Sequence, residues 1–219
     1  MPATSPPTSK PRSRGFNMEF FRRAAGTPAS LGVFPGTFNP PTKAHLALAR
    51  AALNVVDEVV FVLPRVFPHK EYAGAGFAER IRMLEIALDA EPRISIASTA
   101  QGLFIDIARE CRAAYGESVE LYFLCGRDAA ERIVNWDYGR PGAFAAQLRE
   151  YQLLVAPRGG PYEPPPEFRS RIHPLAMEGD YDAFSATEVR DRIRAGLPWR
   201  HLVPEAIAGI VESVYSPRA

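Results

Sequence analysis

Ten residues near the amino-terminal end, Gly36-Thr37-Phe38-Asn39-Pro40-Pro41-Thr42-Lys43-Ala44-His45, combine the residue types that handle a phosphate. They follow a short apolar run, Leu31-Gly32-Val33-Phe34, and open a segment with helical spacing. Gly36 lets backbone approach a ligand closely. The unpaired N–H groups and positive dipole end of a helix form a natural anion site. His45 falls in the first helical turn and faces that anion. Thr42 can cap the helix or donate its hydroxyl. An ordinary strand–turn–helix with a Thr N-cap and a surface His would use the same residues. The loop is neither a P-loop nor a GxGxxG fingerprint. Near the other end, Phe184-Ser185-Ala186-Thr187-Glu188-Val189-Arg190 carries a capping box, Ser185 with Glu188. Thr187 and Arg190 are three apart and share a helical face. Two hydroxyls and an Arg at a helix start can hold a polyphosphate, although a capping box alone means only that a helix begins.

These segments need a scaffold. Residues 31–34, 59–63, 94–97, 119–124 and 152–156 read as short strands, β-branched, apolar or alternating. Between them, Leu46, Ala49, Ala52 and Leu53 recur at helical spacing over residues 43–54. Phe77, Ile81, Leu84 and Leu88 do so over 77–90, and Leu103, Ile107 and Cys111 over 103–115. Further helices are expected over residues 186–196 and 204–215. Strands alternating with helices predict an α/β fold, a Rossmann-like parallel sheet with helices on both faces and a small C-terminal helical segment. Ligands in such folds bind beyond the carboxyl ends of the strands, near a topological switch point.

The 219 residues suggest one folded domain over 31–219. Residues 1–15 are rich in Pro and Ser, lack core-forming residues and read as a disordered tail; residues 16–30 read as a linker or short helix. Lys plus Arg, 26, nearly balance Asp plus Glu, 25, for a net charge of +1. That excludes a chain built around an overall basic footprint for nucleic acid. No apolar run approaches the ~18 residues of a membrane helix. Cys111 and Cys125 form no CxxC pair and fit free, buried thiols in a reducing cytoplasm.

In combination, GTFNPPTKAH and SATEVR resemble the paired signatures of the nucleotidyltransferase superfamily that carries an (H/T)xGH motif and an ISSTxxR-like motif. More narrowly, the chain looks like the bacterial nicotinate-mononucleotide adenylyltransferase family. Pro68-His69-Lys70, followed by Ala78-Glu79-Arg80 and Met83-Leu84, resembles that family's PHK loop and its next helix. Gly126-Arg127-Asp128 resembles its GxD motif. Trp136 stands where the family commonly has Trp, and Leu202-Val203-Pro204 matches its C-terminal segment. The motifs occur in order across residues 31–215.

The resemblance implies adenylyl transfer in NAD biosynthesis: a substrate phosphate attacks the α-phosphate of ATP and pyrophosphate leaves, without a covalent enzyme intermediate. His45, Thr42 and Arg190 would be catalytic. Gly36, Thr37, Phe38, Gly126, Asp128, Ser185 and Thr187 would bind ATP. Lys70, Trp136 and the position of Phe104 would face the acceptor, a nicotinate or nicotinamide mononucleotide. Mg2+ would be held mainly by ATP phosphates, with no metal site built from protein ligands. The implied partners are small molecules, with neither nucleic acid nor membrane among them. Four positions depart from the family pattern. Asn39 replaces Asp, Thr42 replaces His, Ala44 replaces Gly and Phe104 replaces a Thr near the nicotinate carboxylate. A transferase using CTP or another phosphorylated acceptor, or a non-catalytic nucleotide-binding domain, is the alternative.

Overall fold

The run Val59-Val60-Phe61-Val62-Leu63 contains no polar residue because both faces of its strand are covered. The computed structural model describes residues 18–65, 74–157 and 159–216. The strands are β1 (Glu19–Arg22), β2 (Ser30–Pro35), β3 (Glu58–Pro64), β4 (Ile94–Thr99), β5 (Glu120–Gly126), β6 (Gln152–Ala156) and β7 (Ile172–Pro174). They form one sheet in the order β1-β4-β3-β2-β5-β6-β7. Only the β1–β4 pairing is antiparallel; the rest are parallel. The expected Rossmann-like sheet is therefore present.

Seven helices connect and cover the strands among the described residues: α1 (Lys43–Ala52), α2 (Phe77–Ala87), α3 (Phe104–Tyr115), α4 (Arg127–Val134), α5 (Ala143–Gln147), α6 (Ala186–Arg194) and α7 (Ala208–Tyr215). Side-chain alternation divides the core. Val33, Val60, Phe123 and Val155 pack with α3 and α4 residues such as Ile107 and Ala130. Phe61, Ile96, Leu124 and Leu154 pack with Leu46 and Ala49 of α1 and Leu84 of α2. Burying each large side chain contributes about 1.5–3 kcal/mol. A third cluster joins Val189 and Ile193 of α6, Val211 of α7 and Trp199, between those helices, to Met83 of α2. That is the expected C-terminal helical segment. Its last helix is preceded by a 3-10 turn, Glu205–Ile207, following Pro204.

The segment read as a linker or short helix instead supplies β1. Phe20 and Phe21, adjacent on an extended chain, point to opposite faces. Phe20 meets Tyr115 edge-on at 5.6 Å, and Phe21 meets Phe77 at 5.8 Å. Arg22 donates to the carbonyls of Leu88 and Glu91, and Arg23 lies over the Phe20 ring at 4.7 Å. The tail over residues 1–15 lies outside the described residues.

The topology itself fixes a site. From β2 the chain moves outward to β3 and β4, then returns to place β5 on the other flank of β2. The connections leaving β2 and β5 diverge, and a crevice opens at their carboxyl ends. The 36–45 loop follows β2 there, and Gly126-Arg127-Asp128 lies at the end of β5.

Candidate active site

After Pro35, the N–H of Gly36 donates to the Val62 carbonyl at 3.0 Å, which holds the loop start against β3. Gly36 is required by a close contact. A Cβ there would meet the Phe38 ring at 2.7, 2.9 and 3.0 Å. Phe38 has φ +46°, the left-handed region that non-glycine residues rarely occupy. Its ring is buried among Phe34, Phe61 and His45, with centroids at 5.4, 5.0 and 5.2 Å. Phe38 is therefore a wedge that turns the chain and braces the His45 imidazole. The close approach at Gly36 is made by this ring.

Thr42 is fully buried and is the N-cap of α1. Its N–H donates to His45 Nδ1 at 2.9 Å, and its Oγ1 lies 2.8 Å from the same nitrogen. A backbone N–H can only donate, so Nδ1 accepts and the neutral ring carries its proton on Nε2. His45 is thus oriented as a hydrogen-bond donor through Nε2. A donor of this kind can stabilise charge developing on an oxygen.

The two signature stretches meet. Arg190 of α6 donates through Nη1 to the carbonyl of Asn39, 151 residues away in sequence, and through Nη2 to Thr187 Oγ1 at 3.2 Å. Ser185 caps α6, accepting from the Glu188 N–H at 3.0 Å. A second guanidinium, that of Arg80, is 5% exposed and donates to the Thr37 carbonyl at 3.0 Å. Two arginines and two helix starts thus surround one loop, a combination whose chemistry suits an anion.

Sequence reasoning named Arg80 only within a motif and gave it no role, and did not reach Tyr215, whose hydroxyl donates to Asn39 Oδ1. The signal for Arg80 was its place three residues from Phe77 and four from Leu84, on the apolar stripe of α2. A charged residue on such a stripe needs a buried partner.

On the β5 side, Gly126 is the N-cap of α4, and a Cβ there would meet nothing within 4 Å. Asp128 is exposed in the first turn of α4, near its positive end. Trp136 is 55% exposed and lines an open groove of about 460 Å³ with Tyr138, Arg140, Phe144 and Phe168. No residue of the 36–45 loop lines that groove. Phe104 opens α3 and stacks on Phe123 at 4.3 Å with an interplanar angle of 20°. Its half-buried ring packs against the core there. Lys70 lies outside the described residues.

The cytidylyltransferase-like family model matches residues 33–192, a span that holds both signature stretches. Over 210 residues the chain is 31% identical to the probable nicotinate-nucleotide adenylyltransferase of Moorella thermoacetica, covering 87% of this chain and 94% of that one. The chain belongs to the nicotinate-nucleotide adenylyltransferase family. The probable nicotinate-nucleotide adenylyltransferase of Chromobacterium violaceum is 32% identical over 211 residues, covering 84% of this chain and 96% of that one. Plasmodium falciparum nicotinic acid mononucleotide adenylyltransferase, solved in complex with NaAD, has the same fold, with a TM-score of 0.64 at 17% identity. That alignment covers 84% of this chain and 95% of the other.

Within this adenylyltransferase family frame, two of the departures have a visible local accommodation. Thr42 in place of His still serves the histidine three residues on, by capping α1 and fixing the imidazole. Asn39 in place of Asp keeps an acceptor oxygen, which the Ala75 N–H and the Tyr215 hydroxyl use. Ala44 sits half-buried in the first turn of α1.

Proposed function

We propose that the chain transfers the adenylyl group of ATP to the phosphate of nicotinate mononucleotide, forming a dinucleotide and pyrophosphate in NAD biosynthesis. The observation that carries this reading is the Arg190–Asn39 contact, which joins the two ends of the motif set beside His45. A phosphate oxygen of the mononucleotide attacks the α-phosphorus, and the bond from that phosphorus to the bridging oxygen of pyrophosphate breaks. Catalysis consists of positioning and charge stabilisation. His45 donates from Nε2 to oxygen at the α-phosphate, held by Thr42. Backbone at Gly36, Thr37 and Phe38 lines the phosphates. Ser185, Thr187 and Arg190 hold the β- and γ-phosphates, and Gly126 with Asp128 meets the ribose.

Trp136 stacks on the pyridine ring, and Lys70 neutralises phosphate charge from the PHK loop. With the Phe104 ring stacked on Phe123, the nicotinate carboxylate is left to the backbone N–H groups at the start of α3, which have no partner within the helix. Among the described residues no group of three or more His, Cys, Asp or Glu could hold a metal. Mg2+ would be carried by phosphate oxygens and water, where it would supply charge neutralisation.

A pyrophosphate-release assay tests the proposal, with ATP or CTP offered against nicotinate mononucleotide, nicotinamide mononucleotide and other phosphorylated acceptors. Turnover is expected with ATP and nicotinate mononucleotide. Turnover with CTP alone, or tight ATP binding without turnover, overturns the proposal.

A further inference from the structure

Asn39 stands in the middle of the 36–42 loop and is 5% exposed. Its side-chain oxygen accepts two hydrogen bonds from remote parts of the chain. One comes from the Tyr215 hydroxyl at the end of α7, 176 residues away. The other comes from the N–H of Ala75, at 3.2 Å. Its main-chain oxygen accepts from Arg190. The Tyr215 ring is closely seated: a Cβ on Gly74 would meet it at 2.8 Å, and Gly74 has φ +111°. Burial raises the Tyr215 phenol above its ordinary range, against the opposing pull of the Ala75 N–H, Arg190 and Arg80. The hydroxyl therefore keeps its proton and remains a donor.

We propose that Tyr215 is a positioning residue for adenylyl transfer, holding the 36–42 loop through Asn39 while Arg190 engages the triphosphate. This rests on the adenylyl-transfer reading. The Arg190 fork is divided between the Asn39 carbonyl and Thr187. A phosphate offers two charged oxygens to one guanidinium, a bidentate fit that a single neutral carbonyl lacks. A bound triphosphate therefore draws the fork away from Asn39. The side-chain bonds of Asn39 to Tyr215 and Ala75 then hold the loop, with Arg80 still on Thr37. Both lone pairs of Asn39 Oδ1 are used. Removing the tyrosine hydroxyl takes one of these bonds from a buried acceptor. The loop loosens when the reaction needs it most, so kcat suffers more than mononucleotide binding.

Tyr215→Phe is expected to lower kcat about tenfold. The KM for nicotinate mononucleotide should stay within about twofold, and amide exchange at residues 36–39 should quicken about tenfold. Val211→Ala provides the contrast, because it empties space in the C-terminal core without touching the loop. It should lower the melting temperature at least as far while keeping kcat near wild type. In an Asn39→Ala background, Tyr215→Phe should cost nothing more. Asn39→Asp retains an acceptor and should leave the full cost of Tyr215→Phe in place. Equal kcat loss in Tyr215→Phe and Val211→Ala, or Tyr215→Phe at the wild-type rate, overturns the proposal. If the wild-type chain does not turn over ATP, the functional reading falls by itself. Loop exchange then decides the tether, and an unchanged exchange rate in Tyr215→Phe overturns it.

Discussion

Replacing Gly36 with Ala exchanges one hydrogen for a methyl group, yet the structure predicts a loss of both stability and rate. The new Cβ would stand 2.7 Å from the nearest Phe38 ring atom, where ordinary contact begins at 3.4 Å, so the ring must retreat by about 0.7 Å. Phe34 and Phe61 pack against that ring and are themselves core residues. Overpacking of this kind costs about 1–3 kcal/mol. At roughly 2–4 °C per kcal/mol for a domain of this size, the melting temperature should fall by about 2–12 °C. The same ring meets the His45 imidazole edge-on at 5.2 Å, so the displacement passes to the proposed donor. A misplacement near 1 Å costs on the order of 10²-fold in rate. Thermal melts and pyrophosphate release read the two effects. Phe38→Leu in the Gly36→Ala background should return part of the lost stability, giving a coupling of about 0.5–3 kcal/mol. Gly209→Ala, on an exposed helical site with open space around it, should instead raise the melting temperature slightly. A Gly36→Ala variant with wild-type melting temperature and kcat would refute the wedge role of Phe38.

Three further outcomes are expected. His45→Ala should cut kcat by about 10²–10³-fold with an unchanged circular dichroism spectrum, whereas near-normal turnover would place the chemistry elsewhere. Glu110 is fully buried, and burial pushes its carboxyl above the ordinary 4.5, against N–H groups of Ala100 and Gln101. The folded state therefore holds this proton more tightly than the unfolded chain. Its contribution is complete below pH 4.5 and is lost as pH rises through the raised value. Glu110→Gln should flatten that part of the stability profile in urea titrations between pH 4 and 8, and an unaltered profile would refute the assignment. Burial raises both thiols, Cys125 to about 12. Neither should react with iodoacetamide in the native protein at pH 8, and both should react in urea.

Much of the fold was legible because the strands beneath it are buried on both faces. Runs such as 59–63 and 152–156 cannot be surface loops, and the helices between them carry apolar stripes. β1 was not legible: Phe20 and Phe21 look like one apolar patch until an edge strand sends them to opposite sides. β7 is three residues long and ends in Pro, too short for periodicity to register. At the site, Gly36, Thr42, His45, Ser185 and Arg190 could be picked out because helix starts and glycine turns have local signatures. The partners that hold them could not. Arg80 on Thr37 and Tyr215 on Asn39 are pairings across 43 and 176 residues, set by how α2 and α7 pack. The stacking of Phe104 on Phe123 of β5 is likewise a tertiary fact that spacing does not show.

The antiparallel edge strand has a practical consequence. Among the described residues, β4 is flanked by a parallel neighbour on one side and on the other by the four residues of β1, with a register shift between Phe20 and Arg22. A shortened polypeptide beginning beyond Arg23 would bare the outer amides and carbonyls of β4, an open ladder that a second molecule can extend. Such a version would self-associate while its nucleotide crevice, on the far side of β3, stayed intact. Where an expression boundary is drawn at this end governs solubility before it touches turnover.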